Sequence, residues 1–303
     1  MNPTIQKTLV FSSLVKDTVN RCKDYRLDAS GKGVNVSRVL SQLGKDVCHL
    51  TQLGGILRPL FLDLCSNDNL RVEWVESLSP IRFAYTLIER TEKNVTEIVE
   101  EAEKVDEGTE KRLFDEFARL APGFSTLVIS GTMAAGFSDK LIPDMVCFAR
   151  EQGLRVILDV RGNDLVNSLA CGPDIVKPNL CEFISTFAPD LTSHNNTNSS
   201  DIHPNNSDIK KRVGNIWSEL YKKYPCSLIL TRGPDPVWYA EKGDLAEYAF
   251  ESVEPFNTTG SGDAFTAGLA AAMDDGASLA DAIGQAVRCG VLNAGLLRPS
   301  VIK

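Results

Sequence analysis

From Val34 to Leu43 the apolar residues Val34, Val36, Val39, Leu40 and Leu43 recur at helical spacing, and Gly44 ends the run. The pattern predicts a helix covered on one face. Thr8 to Phe11 is a short apolar strand, and Val47 to Leu53 is a second one that stops at Gly54-Gly55. Phe83 to Arg90 and Asn94 to Val99 partly alternate between apolar and polar residues around a polar turn. They predict a hairpin with one wet face, able to act as a flap.

After this the rhythm is strand, then helix. Strands are predicted at Thr126–Ser130, Leu154–Leu158, Ile175–Val176 and Cys226–Thr231, and helices at Ser138–Gln152 and Ile209–Tyr224. A hairpin follows at Val237–Ala240 and Ala246–Phe250, and helices at Asp263–Met273 and Leu279–Asn293 close the chain. This alternation predicts a mostly parallel sheet covered on both faces, with ligands at the carboxyl ends of its strands. Ser130-Gly131, Asp159, Lys177-Pro178-Asn179 and Thr231-Arg232-Gly233 stand at strand exits, so they are expected to share one edge. No repeats are visible, and the Asn-rich stretch from Asp190 to Asp208 is expected to be a mobile surface loop.

Composition narrows the partners. With 303 residues, 43% hydrophobic and 24% charged, the chain reads as a soluble globular protein. A net charge of −8 argues against nucleic acid or an anionic membrane. No membrane span or signal-peptide core is visible, so a cytoplasmic location is expected. Eight scattered cysteines without a C-x-x-C pair read as reduced thiols, and with three His a His-based metal site is not expected. Six Asn-x-Ser/Thr sequons, at Asn35, Asn94, Asn195, Asn198, Asn205 and Asn257, are discounted, because two fall in candidate ligand loops and no secretory signal accompanies them.

The chemistry concentrates in two glycine motifs. Asn257-Thr258-Thr259-Gly260-Ser261-Gly262-Asp263 leads into the small-residue helix from Ala264 to Met273. Glycines let backbone N–H groups converge on one point, and a helix N-terminus adds about half a positive charge. The result is an anion pocket with one carboxylate, Asp263, at its edge, as phosphoryl transfer requires. Alone, the same residues fit an ordinary turn with Asp263 as a helix cap. Gly31-Lys32-Gly33-Val34-Asn35 opens another helix, and alone it fits a turn with a solvated Lys. Neither motif has Walker P-loop or Rossmann spacing.

Together, GKGVNVSRVLSQLG and NTTGSGDAFTAG resemble the two signature motifs of the ribokinase-like (PfkB) carbohydrate kinases. Leu53-Gly54-Gly55, Ser130-Gly131-Thr132, Asn179 with Glu182, and Thr231-Arg232-Gly233 extend the resemblance over nearly the whole chain. Lys32, Arg82, and Thr96-Glu97 with Glu100 point to the 1-phosphofructokinase and tagatose-6-phosphate kinase subgroup. The resemblance implies one domain over 1–303: a three-layer α/β sandwich with a small β-sheet lid from about 12–30 and 72–102. It also implies ATP and Mg²⁺ as cofactors and a phosphorylated ketohexose as acceptor. The apolar residues on the flap's wet face, Phe83, Tyr85 and Leu87, predict a homodimer through the lid.

By resemblance, Asp263 is the catalytic base and Gly260, Ser261 and Gly262 form the anion hole. Gly31, Gly33 and Asn35 hold sugar hydroxyls, while Lys32 and Arg82 face the acceptor's phosphate. Lys177, Thr231, Gly233 and Asn293 line the nucleotide site, and Asn179 and Glu182 position Mg²⁺ through water. Asp263, at a helix N-terminus, is expected to stay ionised. The chain departs from the family pattern at Ser12–Asp17, where the sugar-gripping acid is replaced by Lys16 or shifted to Asp17. It departs also at Ala84, Thr86, Pro234 and Pro236. The alternatives are a kinase of unphosphorylated sugars or nucleosides and a binding protein without turnover.

Overall fold

The structure is a computed structural model that describes residues 1–191 and 207–303. Most of the Asn-rich stretch, with the sequons at Asn195, Asn198 and Asn205, lies outside the described residues.

In chain order the elements are β1 (Thr4–Phe11), β2 (Asp24–Ser30), α1 (Lys32–Gln42), β3 (Cys48–Leu53), α2 (Arg58–Asn67), β4 (Arg71–Glu76), β5 (Arg82–Glu89) and β6 (Asn94–Val99). Then follow α3 (Thr109–Leu120), β7 (Thr126–Ser130), α4 (Leu141–Glu151), β8 (Arg155–Asp159), α5 (Gly162–Ser168), β9 (Ile175–Val176) and α6 (Leu180–Phe187). The chain closes with α7 (Ser207–Lys223), β10 (Ser227–Arg232), β11 (Asp235–Ala240), β12 (Ala246–Tyr248), α8 (Ser261–Asp274) and α9 (Leu279–Ala294).

The central sheet runs β12-β11-β10-β9-β8-β7, parallel from β7 to β10 and antiparallel through β11 and β12. Its parallel strands are apolar on both sides, as burial under two helix layers demands: Val156, Ile157 and Leu158 of β8 are fully buried. One face packs on α3, α4, α6 and α7 through Leu113, Val146, Phe183 and Trp217. The other packs on α8 and α9 through Phe265, Leu269, Ile283 and Ala286. Gly268 lets those two helices pack closely, since a Cβ there would lie 3.0 Å from Ala286 Cα.

A second sheet, β2-β1-β5-β6, stands apart, with β1 and β5 parallel and both edge pairings antiparallel. One of its faces carries Leu9, Tyr25, Tyr85, Leu87 and Ile98, directly opposed across the strands. The other carries buried polar residues: Gln6, Thr8, Asp28, Ser30 and Thr86. β4, which falls inside the expected lid range, pairs instead with β3 in a parallel ribbon. No pairing joins β3 to β7; an apolar cavity of about 210 Å³ separates them. The β3–β4 ribbon therefore lies outside the expected mostly parallel central sheet, which runs from β7 to β12.

The cysteine expectation needs one correction. Cys147 on α4 and Cys171, just after α5, have Cα atoms 4.8 Å apart and are joined by a disulfide. Their separation of 24 residues carries no local signal. The other six are free thiols, of which Cys65, Cys226 and Cys289 are buried. Among the described residues no helix is long and apolar enough to cross a membrane.

Candidate active site

The strand exits β7–β10, both glycine motifs and the polar face of the second sheet enclose one cavity of about 650 Å³. Gly31, Lys32, Gly33, Asn35, Arg82, Lys177, Asn179, Glu182, Thr231, Gly260, Gly262 and Asp263 all line it. The sequence placed these residues in separate segments; the fold puts them on one wall.

Gly260 caps α8 with φ +82°, a left-handed conformation that glycine reaches without strain. The helix behind it is buried from Asp263 to Ala272, so its positive end meets the cavity and not solvent. Asn257 fixes the loop by accepting from Thr259 N at 3.0 Å and donating to Leu297 O at 2.9 Å. Thr259 Oγ1 donates to Glu97 Oε1 of β6 at 3.1 Å, so the second sheet touches the glycine loop directly.

Asp263 is buried and accepts from Asn35 Nδ2 at 2.7 Å. Burial, then the neighbouring Asp159 carboxylate, push its carboxyl up to about 6, against Lys32, Asn35 and Lys177. Desolvation and a like charge thus hold it above the ordinary carboxylate value, yet it remains mostly ionised at neutral pH. The shift also favours a basic role, because a general base works best with a pKa near the working pH.

Asp159 is a central residue of the site that the sequence marked only as a strand exit. Its Oδ1 lies 3.3 Å from Lys177 Nζ and 3.9 Å from Lys32 Nζ, and its Oδ2 accepts from Ser130 Oγ and Thr266 Oγ1. Burial alone would raise its pKa, but the two lysines and the two hydroxyls hold it below the usual carboxylate range. Lys32 also lies 3.6 Å from Glu182 Oε1. Its ammonium therefore points to the carboxylates at the strand exits, between the two glycine loops.

Asn179 and Glu182 form a capping box at the start of α6: Asn179 Oδ1 accepts from Glu182 N, and Glu182 Oε2 accepts from Asn179 N. Glu182 Oε1 is left for Lys32 and the cavity. Among the described residues no three His, Cys, Asp or Glu side chains cluster as a direct metal-binding set.

Four sequence candidates do not reach the cavity wall. Asp17 is exposed in the 12–23 loop, at φ +59°. Gly233 sits in the β10–β11 turn with φ +63°. Ser261 turns its hydroxyl to Asn293 Oδ1 at 3.1 Å. Asn293 is fully buried, and its amide donates to Arg298 O and Val301 O. It braces the C-terminal segment against the glycine loop, which leaves it no free group for a nucleotide. Thr86 is buried and accepts from Gln6 Nε2, while Ala84 lines the cavity.

One further lining residue escaped the sequence reading. Arg161, two residues past Asp159, is exposed in the cavity and makes no hydrogen bond or ion pair among the described residues. Arg82, by contrast, donates to Glu100 O and Thr4 Oγ1.

The family model for pfkB family carbohydrate kinases matches residues 2–296. A tagatose-6-phosphate kinase of Staphylococcus epidermidis is 24% identical over 97% of this chain and 90% of its own length. A D-tagatose-1-phosphate kinase of Bacillus licheniformis is 26% identical with the same coverage. Phosphofructokinase-2 from Escherichia coli in complex with potassium superposes with a TM-score of 0.83 at 19% identity, over 99% of this chain and 93% of that one. Arabidopsis thaliana ribokinase complexed with ribose and ATP gives 0.71 at 17% identity, over 99% and 92%. The architecture is thus the ribokinase-like α/β fold.

Proposed function

This chain belongs to the pfkB family of carbohydrate kinases, phosphotransferases that act on an alcohol group, and we propose that it moves the γ-phosphate of ATP to a hydroxyl of a phosphorylated ketohexose. The observation that carries this reading is the single cavity in which the buried Asp263 meets both glycine loops and several cations. The acceptor oxygen bonds to the γ-phosphorus as the bond from that phosphorus to the ADP oxygen breaks. The hydroxyl proton passes to Asp263 Oδ. The 260–262 loop and the α8 N-terminus stabilise the moving phosphoryl charge, and Lys32, beside Asp159 and Glu182, adds a cation to the same cavity.

Mg²⁺ fits this site through water. Glu182 keeps one carboxylate oxygen outside the cap, 3.6 Å from Lys32 Nζ, while Asn179 Oδ1 is committed to the cap, and Mg²⁺ retains several of its waters. When bound it would neutralise phosphate charge; Glu182 would orient its waters.

The acceptor's own phosphate distinguishes this reading from a kinase of neutral sugars. Arg161 is a cation in the cavity with no partner among the described residues, and it supports an anionic acceptor or donor group there. Fructose 1-phosphate, fructose 6-phosphate, tagatose 6-phosphate, tagatose 1-phosphate, fructose and ribose should be compared by ADP release. A phosphorylated ketohexose should exceed the neutral sugars by roughly 10² in kcat/KM, and Arg161→Ala should raise its KM about tenfold, the worth of one charge-assisted hydrogen bond. Turnover confined to unphosphorylated sugars would overturn the acceptor assignment. Ligand-induced thermal stabilisation without ADP release would favour a binding protein.

The apolar face of the second sheet supports a homodimer. Tyr25 and Ile98 are 64% and 53% exposed beside the half-buried Tyr85 and Leu87. Sedimentation at micromolar concentration should give a dimer, and Ile98→Lys should give a monomer. A monomeric parent would exclude this interface.

A further inference from the structure

Asn35 carries two roles that depend on which way its amide is turned. Its Nδ2 donates to Asp263 Oδ2 at 2.7 Å, and its Oδ1 accepts from Arg38 Nη1 at 3.1 Å. Reversed, the NH2 would face a guanidinium and the oxygen would face a carboxylate, both repulsive. Arg38 therefore fixes the rotamer that presents a donor to Asp263. Arg38 is itself 2% exposed and held on three sides. Its Nη2 donates to Ala29 O of β2, and its Nε donates to Asp68 Oδ2 at 2.7 Å.

Asp68 is gripped from the other side by Arg298. Both Asp68 oxygens accept from Arg298 Nη2 at 2.6 Å, and Arg298 Nε donates to Asp28 of β2 at 2.8 Å. A second line crosses the same sheet: Gln6 Nε2 donates to Thr86 Oγ1 at 2.6 Å, and Ser30 Oγ donates to Gln6 Oε1 at 2.8 Å, beside Asn35. A network of buried polar side chains thus runs from the second sheet and the C-terminal segment to the base.

We propose that Arg38, clamped by Asp68 and Arg298, is a positioning residue that orients Asn35 toward Asp263 and so couples the second sheet and the C-terminal segment to the base. The inference rests on Asp263 being the base, as read above. A purely structural role for Arg38 would lower the melting temperature and leave the pH dependence of catalysis unchanged. Arg38→Lys keeps a cation for Asp68 but loses the planar fork that reaches Asp68, Ala29 and Asn35 together.

In Arg38→Lys, kcat should fall about tenfold with the KM for ATP unchanged. The acid limb of kcat/KM should move up by about one pH unit, since one hydrogen bond to the charged form is lost. The other groups facing Asp263 are Asp159 from β8, Lys177 beyond β9 and Lys32 on α1, and all remain in place. In an Asp263→Asn background the same substitution should cause no further loss of kcat. An unmoved acid limb, or an equal loss in both backgrounds, would overturn the proposal. If Arg38→Lys fails to melt cooperatively, Asp68→Asn decides in the same way, because Asp68 grips Arg38 Nε at 2.7 Å and the amide loses that charged hold. Near-parental activity in Asp263→Asn alone would instead remove the base assignment itself.

Discussion

Asp263→Asn should abolish most of the activity while making the folded protein more stable at neutral pH. The loss follows from the removed proton acceptor and should be about 10²–10⁴-fold in kcat. The gain follows from where the carboxyl sits. Its pKa of about 6 in the fold stands above the ordinary value of 3.8, because burial and Asp159 disfavour the charged form. Below 3.8 the group is protonated in both states and costs nothing. Above 6 the fold bears the full cost of ionising it, at most about 3 kcal/mol. Asn keeps an oxygen to accept from Asn35 and carries no charge. The melting-temperature gain of the variant should therefore be largest at pH 7–8 and shrink as the pH falls through 6 toward 4. A variant that keeps kcat within a few-fold of the parent would show Asp263 to be a cap only. A stability difference that does not change with pH would show that the carboxylate is not strained by its surroundings.

The parts of this picture that were legible in the sequence are those set by short-range chemistry. The apolar spacing of α1, α8 and α9 shows in periodicity, and so does the alternation of the β5–β6 hairpin. The glycine loops show because glycine reaches the backbone of Gly260 without strain, and because a following run of small residues signals a buried helix. β2 did not show, and its sequence DYRLDAS explains why. Its buried end carries Asp28 and Ser30, whose burial is satisfied by Arg298 and Gln6, distant in sequence. The Asn35–Asp263 contact spans 228 residues and the Arg298–Asp68 contact spans 230. No local pattern marks such partners, and an isolated Arg or Asp reads as surface charge. Lys32 was legible as a cation in a glycine motif, but its direction was not, because Asp159 and Glu182 select it from two other strand exits. Asp17 shows the converse failure: an acid near the expected position along the chain that the loop carries away from the cavity.

Gly260→Ala should damage both stability and catalysis more than any other single-methyl addition in the glycine loop. Gly260 has φ +82°, where a Cβ costs about 1–2 kcal/mol in backbone strain alone. The added methyl would also fall on Ser300 Oγ and lie 2.7 Å from Ser300 N. Ser300 cannot easily retreat: it is fully buried, at φ +55°, in the segment that Asn293 pins through Arg298 O and Val301 O. Overpacking of this kind adds about 1–3 kcal/mol. The loop would have to move instead, taking the α8 N-terminus, with Asp263, out of register with Asn35. Loss of aligned donors at the transferring phosphoryl group should lower kcat by at least roughly 10². Gly262→Ala serves as the control, since a Cβ there meets nothing within 4 Å. It should keep the fold and lose activity only where the methyl obstructs ligand. Adding Ser300→Gly to Gly260→Ala removes the hydroxyl contact and relieves the positive φ, so part of the lost melting temperature should return. Parental kcat and melting temperature in Gly260→Ala would show that the loop tolerates a side chain at this position, and that its glycine is not what sets the anion site.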